Sequence, residues 1–205
     1  VNRSYQIRFA QNQVVISNQW RETSASVFLV YNKRVIASDI KDLTKLDAAV
    51  ENLVKIAKAS RENPAYAGLA EGPFKYDRLA VDKRIVDLMD GSDFVEAAIN
   101  GATAEGAQEC AGSFWKYDEE HSLRTSNGVK GYDHRASLYL SIRALMSLES
   151  SGHGVACATR MSRFDPEKAG HKAGKIAALA KNPVSGEAGT YDIVFAPLIL
   201  GSLLD

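Results

Sequence analysis

Four histidines, two cysteines and one pair of adjacent glutamates are the residues of this chain best suited to chemistry. His121, His134, His153 and His171 are scattered, and no His-Glu-x-x-His pattern occurs. A zinc site needs three or four convergent ligands, and none of these histidines is paired locally, so only the fold could bring them together. Three of them fall at predicted strand ends or turns, where exposed polar side chains are expected. Cys110 and Cys157 are too few for a disulfide framework and lack zinc-knuckle spacing. Both sit in β-runs beside small apolar residues and are expected to be buried, inert thiols. No serine lies in a Gly-x-Ser-x-Gly elbow. Glu119 and Glu120 are expected as solvated carboxylates in a hairpin turn, after Asp118. Gly186 and Gly189 have the look of a phosphate loop but lead into a predicted strand, whereas a phosphate loop must open a helix. A turn is the better account. Trp20, Tyr31, Phe114, Trp115 and Tyr139 could form a stacking platform for single strands. They lack interleaved Arg and Lys, which favours a core or interface role.

These residues must be positioned by elements that the spacing of apolar residues predicts. Tyr5, Ile7 and Phe9 alternate with Ser4, Gln6 and Arg8, the period of a half-buried strand. Gln11-Asn12-Gln13 then turns into a second strand from Val14. Ala25 to Tyr31 and Val35 to Asp39 flank Asn32-Lys33-Arg34 as a further hairpin, giving an antiparallel opening meander. From Asp42, apolar residues recur every three or four positions to Ala57. This predicts an amphipathic helix capped by Asp42 and stopped by Asn63-Pro64. Residues 64–74 form an ordered crossing loop. Short helices follow over Val81 to Met89 and, capped by Ser92, Phe94 to Ala104.

Beyond Gly106 the period returns to two, with strands over Gln108 to Tyr117, His121 to Thr125 and Arg135 to Leu148. Asn127-Gly128 is the clearest turn. Ser150 to Gly154 turns into a strand from Val155 to Arg160. Asp165-Pro166-Glu167 then starts a helix with a cap, a proline at its first position and an acid. Its Gly170 and Gly174 share a face that only close backbone packing would justify. Tyr191 to Ala196 reads as a buried strand, handing over at Pro197 to an apolar helix. The fold class is therefore α+β, with antiparallel meanders packed against helices. Two related halves, 1–104 and 105–205, are a possible organisation.

Composition limits the function classes. Lys plus Arg equals Asp plus Glu at 25 each, so no overall field favours nucleic acid or an anionic membrane. No apolar run approaches a membrane span, and no signal peptide opens the chain, which makes the cytoplasm the default expectation. Val1 and the uncapped apolar helix that stops at Asp205 suggest a piece of a longer protein.

The order of these pieces resembles one family. Thr125-Ser126-Asn127-Gly128, Asp165-Pro166-Glu167 with the Ala/Gly helix to Ala178, and Gly189-Thr-Tyr-Asp-Ile-Val-Phe-Ala-Pro197 are similar to segments of the TldD/PmbA proteins, the so-called modulators of DNA gyrase. Ala25 to Ala59 resembles that family's first sheet running into a helix. The resemblance implies that 1–205 is an N-terminal α+β portion lacking a C-terminal β-rich domain. TldD-type members resemble zinc peptidases with a His-Glu-x-x-x-His helix. Their PmbA/TldE-type partners lack those ligands, and the pair cuts short or unfolded peptides. Aligned without a gap, the first zinc-ligand histidine falls at Asp205, which favours the PmbA/TldE type. The expectation is then a non-metal subunit, not catalytic by itself, with no cofactor of its own and zinc in its partner. Its partners would be a TldD-like subunit and peptide, with no nucleic acid and no membrane. The alternatives are a TldD-type metallopeptidase cut before its zinc motif, and a non-catalytic modulator that binds a protein such as gyrase. No metal or catalytic residue carries over, and substrate-binding residues stay unassigned.

Overall fold

Alternation in the first ten residues becomes strand β1 (Asn2–Ala10), with Tyr5, Ile7 and Phe9 buried. In the computed structural model, which describes residues 1–77 and 79–204, β1 is the second strand of a five-stranded sheet. Gln11 and Asn12 both adopt positive φ, as a tight hairpin requires, and the chain returns as β2 (Gln13–Glu22). Asn12 fastens this turn: its amide donates to the Gln108 carbonyl at 2.9 Å and its oxygen accepts from Cys110 N–H at 2.8 Å.

The expected opening meander is divided. β3 (Ala25–Tyr31) and β4 (Arg34–Ile40) pair only with each other, through a turn at Asn32 and Lys33 that again uses positive φ. The inner edge of β1 is occupied instead by β5 (Glu109–Arg124), so the two hairpins were legible but the β1–β5 pairing was not. Helix α1 (Leu46–Ala59) packs on the β3–β4 hairpin, burying Leu53 and Ala57. Asp42 caps a 3-10 turn before it, accepting from Thr44 N–H, and the helix ends at Ser60, ahead of Asn63-Pro64.

Helices α2 (Lys83–Val86) and α3 (Ser92–Ala104) precede β5, which pairs along its length with β6 (Lys130–Ser147) across the Asn127-Gly128 turn. The expected turn at Asp118–Glu120 is absent, because cross-strand cations neutralise these acids inside the strand. Glu119 faces Arg135, and Arg3 reaches both Asp118 and Glu120. Strand β7 (Ser150–Ala158) completes the order β2-β1-β5-β6-β7 and begins earlier than expected. Its Gly152 and Gly154 do not turn the chain; they let helix α4 (Pro166–Leu179) approach, since a Cβ at either would overlap an α4 carbonyl. Gly170 does the same where α4 crosses α3, against the Ala98 carbonyl. The α4 start is as predicted, with Asp165 accepting from Lys168 N–H at 3.0 Å.

Helices α3 and α4 cover one face of the sheet. There Phe114, Leu138, Leu140 and Ile142 are fully or almost fully buried. The final segment differs from expectation: residues 191–196 join no ladder, and Val194 is 97 % exposed. Helix α5 (Pro197–Leu204) does form after Pro197. Asp205, on which the expected subunit type rests, lies outside the described residues. Among the described residues no helix is long and apolar enough to cross a membrane.

Candidate functional site

Among the described residues the helices α3 and α4 pack on one face of the sheet only, and strand alternation decides what the second face presents. Even-numbered residues of β5 and β6 point into the core, so Trp115, Tyr117 and Tyr139 point outward. Register places Trp20, Ser4 and Tyr117 in one cross-strand row, and Gln6, Trp115, Tyr139 and Cys157 in the next. Trp20 stacks on Trp115 at 5.7 Å between centroids, and Trp115 on Tyr117 at 5.5 Å with planes 5° apart. Of the five aromatic residues singled out in the sequence, Trp20, Trp115 and Tyr139 thus come together. Phe114 belongs to the core, beside Phe94 and Phe164, and Tyr31 lies on the separate hairpin under Lys58. Tyr117 was missed, although its two-residue spacing from Trp115 was the signal for a shared face.

A groove of about 670 Å³ runs on one side of this aromatic row, between Tyr117, Ser137, Tyr139, Cys157 and Arg163. A second, about 480 Å³, lies on the other side between Gln6, Arg8, Ile16, Ala111 and Ser113. Ser137, Cys157 and Ala158 leave room in the first hollow, and Ala111, Gly112 and Ser113 in the second. Cys157 is exposed here, contrary to the expected burial, because its position in β7 points it to the open face. Cys110 is buried as expected, and burial pushes its thiol up to about 11.

At the end of the sheet a polar network occupies the side of the helices. Asp118, nearly inaccessible, accepts from Arg3 at 3.1 Å and pairs with His134 Nε2 at 2.7 Å. Glu120 accepts from Arg3 at 2.8 Å and from the Tyr132 hydroxyl at 3.0 Å. These bonds, Arg3 foremost, hold its carboxyl below the usual range. Glu119 and Glu120 are therefore ion-paired strand residues, not solvated turn residues. Lys116 is buried and donates to the Val86 and Leu88 carbonyls at 2.5 and 2.8 Å, tying down the end of α2; burial lowers its pKa. This network fastens elements together and exposes no nucleophile.

The remaining histidines are dispersed. His153 pairs with the Ser141 hydroxyl at 2.8 Å, and burial, then Arg143 and Lys172, depress its pKa. His171 pairs with Glu105 at 2.9 Å, across the α3–α4 contact. His121 approaches Arg135. Among the described residues no three His, Cys, Asp or Glu side chains converge to hold a metal, so the donor set here does not fit zinc. Gly186 and Gly189 lie in an exposed irregular segment and cradle nothing.

Residues 1–57 match the model of domain 1 of the PmbA/TldA metallopeptidases. No curated protein matches the chain. Among solved structures it is similar to a candidate modulator of DNA gyrase from Bacteroides thetaiotaomicron. The TM-score is 0.73 at 17% identity, covering 86% of this chain and 43% of that one. TldE from Thermococcus kodakarensis gives a TM-score of 0.72 at 15% identity, over 88% of this chain and 43% of that one. A candidate gyrase modulator from Thermotoga maritima gives 0.64 at 13% identity, over 86% and 42%. The chain therefore spans less than half the length of these structures, and at such identities they establish a shared fold. Residues 1–57, which run through β1 to β4 and into α1, thus match the first domain of the PmbA/TldA metallopeptidases, and the fold over most of the chain is that of TldE and the two candidate gyrase modulators.

Proposed function

We propose that this chain is the N-terminal portion of a TldE-like subunit in a cytoplasmic, two-subunit peptidase acting on small or unfolded peptides. In this reading a TldD-like partner supplies zinc, and the present chain supplies an interface and a surface along which extended peptide lies. The observation that carries it is the family match over residues 1–57, joined to a fold shared with TldE over most of the chain. The open aromatic face adds physical support: contiguous Trp and Tyr side chains offer large contact area at low entropic cost.

The test is zinc content and peptide hydrolysis by the full-length parent, alone and mixed with a TldD-type partner. The expected result is neither zinc nor hydrolysis alone, and hydrolysis with zinc in the mixture. One tightly held zinc and peptide cleavage by the isolated parent would establish the TldD-type alternative instead. The names of two structural neighbours favour a second reading, a modulator that binds gyrase without catalysis. Inhibition of gyrase supercoiling by the parent at stoichiometric ratio, with no effect of the partner, would favour it.

A further inference from the structure

We propose that the open face of the five-stranded sheet docks an extended peptide whose apolar or aromatic side chains are flanked by carboxylates. The aromatic row runs across three strands, with Trp20 41 % and Tyr139 37 % exposed, while the opposite face is closed by α3 and α4. Trp, Tyr and Arg are the residues that dominate binding energy at interfaces. The two grooves beside the row give side chains of a linear segment somewhere to enter.

Charge selects the occupant. Arg8 borders one groove and Arg163 the other, and Arg143 lies further along β6 on the same face. Among the described residues these three make no ion pair, whereas Arg3, Arg34, Arg84 and Arg135 each hold a carboxylate. Glu119 on this face is taken by Arg135 at 3.0 Å, while Glu22, Glu109 and Asp133 lie toward the margins and line neither groove. The uncompensated charge at the grooves is positive, so a carboxylate there gains a charge-assisted bond with nothing to displace. Nucleic acid fits less well: Trp20, Trp115 and Tyr117 stack on one another, so few ring faces are left for bases.

The peptide class rests on the subunit reading above. The acidic preference goes beyond it, and the test requires neither partner nor catalysis, so its failure leaves that reading standing. Trp20 and Trp115 are the only two tryptophans, so tryptophan emission of the 205-residue chain, excited beyond the tyrosine absorption band, reports on this face. The chain is titrated with a short Trp-free peptide alternating Leu or Phe with Asp or Glu, with its lysine counterpart, and with an oligo-dT strand. The expected result is a saturable emission change with the acidic peptide, at least about tenfold weaker with the lysine peptide, and weakened by salt. The exposed pair of changes Arg8→Glu and Arg163→Glu lowers acidic-peptide affinity by about tenfold or more at unchanged circular dichroism. Equal binding of the lysine peptide, indifference to the charge reversal, preference for oligo-dT, or no emission change overturns the proposal.

Discussion

Cys110 and Cys157 lie on opposite faces of one sheet, and that difference sets their chemistry. With its thiol pushed up to about 11, Cys110 is ionised in only about one molecule in a thousand at pH 8, and burial blocks access as well. The expected outcome with a thiol reagent at pH 8 is one rapid equivalent per native chain and two after denaturation. Cys157→Ser should abolish the rapid phase; two rapid equivalents in the native wild type would contradict the burial of Cys110. The sequence context of the two cysteines is alike, small and apolar, so only strand parity separates them, and parity depends on register. Asp82 makes a second case. Its carboxylate accepts from Arg84 N–H, from the Arg84 guanidinium and from Met161 N–H, linking α2 to the turn before α4. Arg84, the largest cause, holds its pKa well below the usual range. A depressed folded pKa means that its contribution is complete above about pH 5 and is lost as pH falls toward the folded value. Asp82→Asn should therefore lower the melting temperature at neutral pH and flatten its decline between about pH 4 and pH 2. An unchanged acid limb would show that Asp82 does not couple these segments.

At the scale of elements, α4 is held by absence of side chains. A Cβ on Gly170 would overlap the Ala98 carbonyl, and one on Gly174 would lie 2.8 Å from the Ala102 carbonyl oxygen. Backbone atoms inside α3 cannot swing aside as a flexible side chain would. Gly170→Ala gains roughly 1 kcal/mol of helix propensity, yet forces α3 and α4 apart. The expected net loss is about 1–3 kcal/mol, read as a lower urea midpoint with an unchanged slope. Gly186→Ala is the control, since nothing lies within 4 Å of that position. This packing was legible because two glycines four residues apart weaken a well-capped helix unless a neighbouring backbone must come close. The Asp165-Pro166-Glu167 start and the Asn127-Gly128 turn were legible through local backbone chemistry as well. The Asp118–Glu120 segment was not. Three acids in a row signal a turn unless cations sit opposite, and Arg3 and Arg135 come from other strands. The pairing of β1 with β5 was equally hidden, since alternation specifies a face and never a neighbour.

For the whole molecule, burial divides the two ends of the chain into opposite classes. Tyr5, Ile7 and Phe9 of β1 are core residues, and β1 joins the sheet between β2 and β5. Removing residues 1–22 would take those side chains out of the core and leave the long β5 edge unpaired, beyond what the rest of the sheet can absorb. A graded version is Ile7→Ala, which should cost about 2–5 kcal/mol because the side chain is wholly buried. At the other end, every described side chain from Lys181 onward is exposed, and residues 191–196 add no strand to any sheet. Sequence pattern suggested a buried strand there because Ile193, Val194 and Phe195 are apolar and β-prone, but neither sheet receives them. Tolerance to truncation follows burial and hydrogen bonding of the affected backbone. A chain ending at Pro183 should therefore melt within about 2 °C of the intact one, within the change a surface substitution makes. The chain lacking residues 1–22 should show no cooperative transition by circular dichroism. A marked loss of stability on removing the last segment, with the first dispensable, would reverse this assignment of the core.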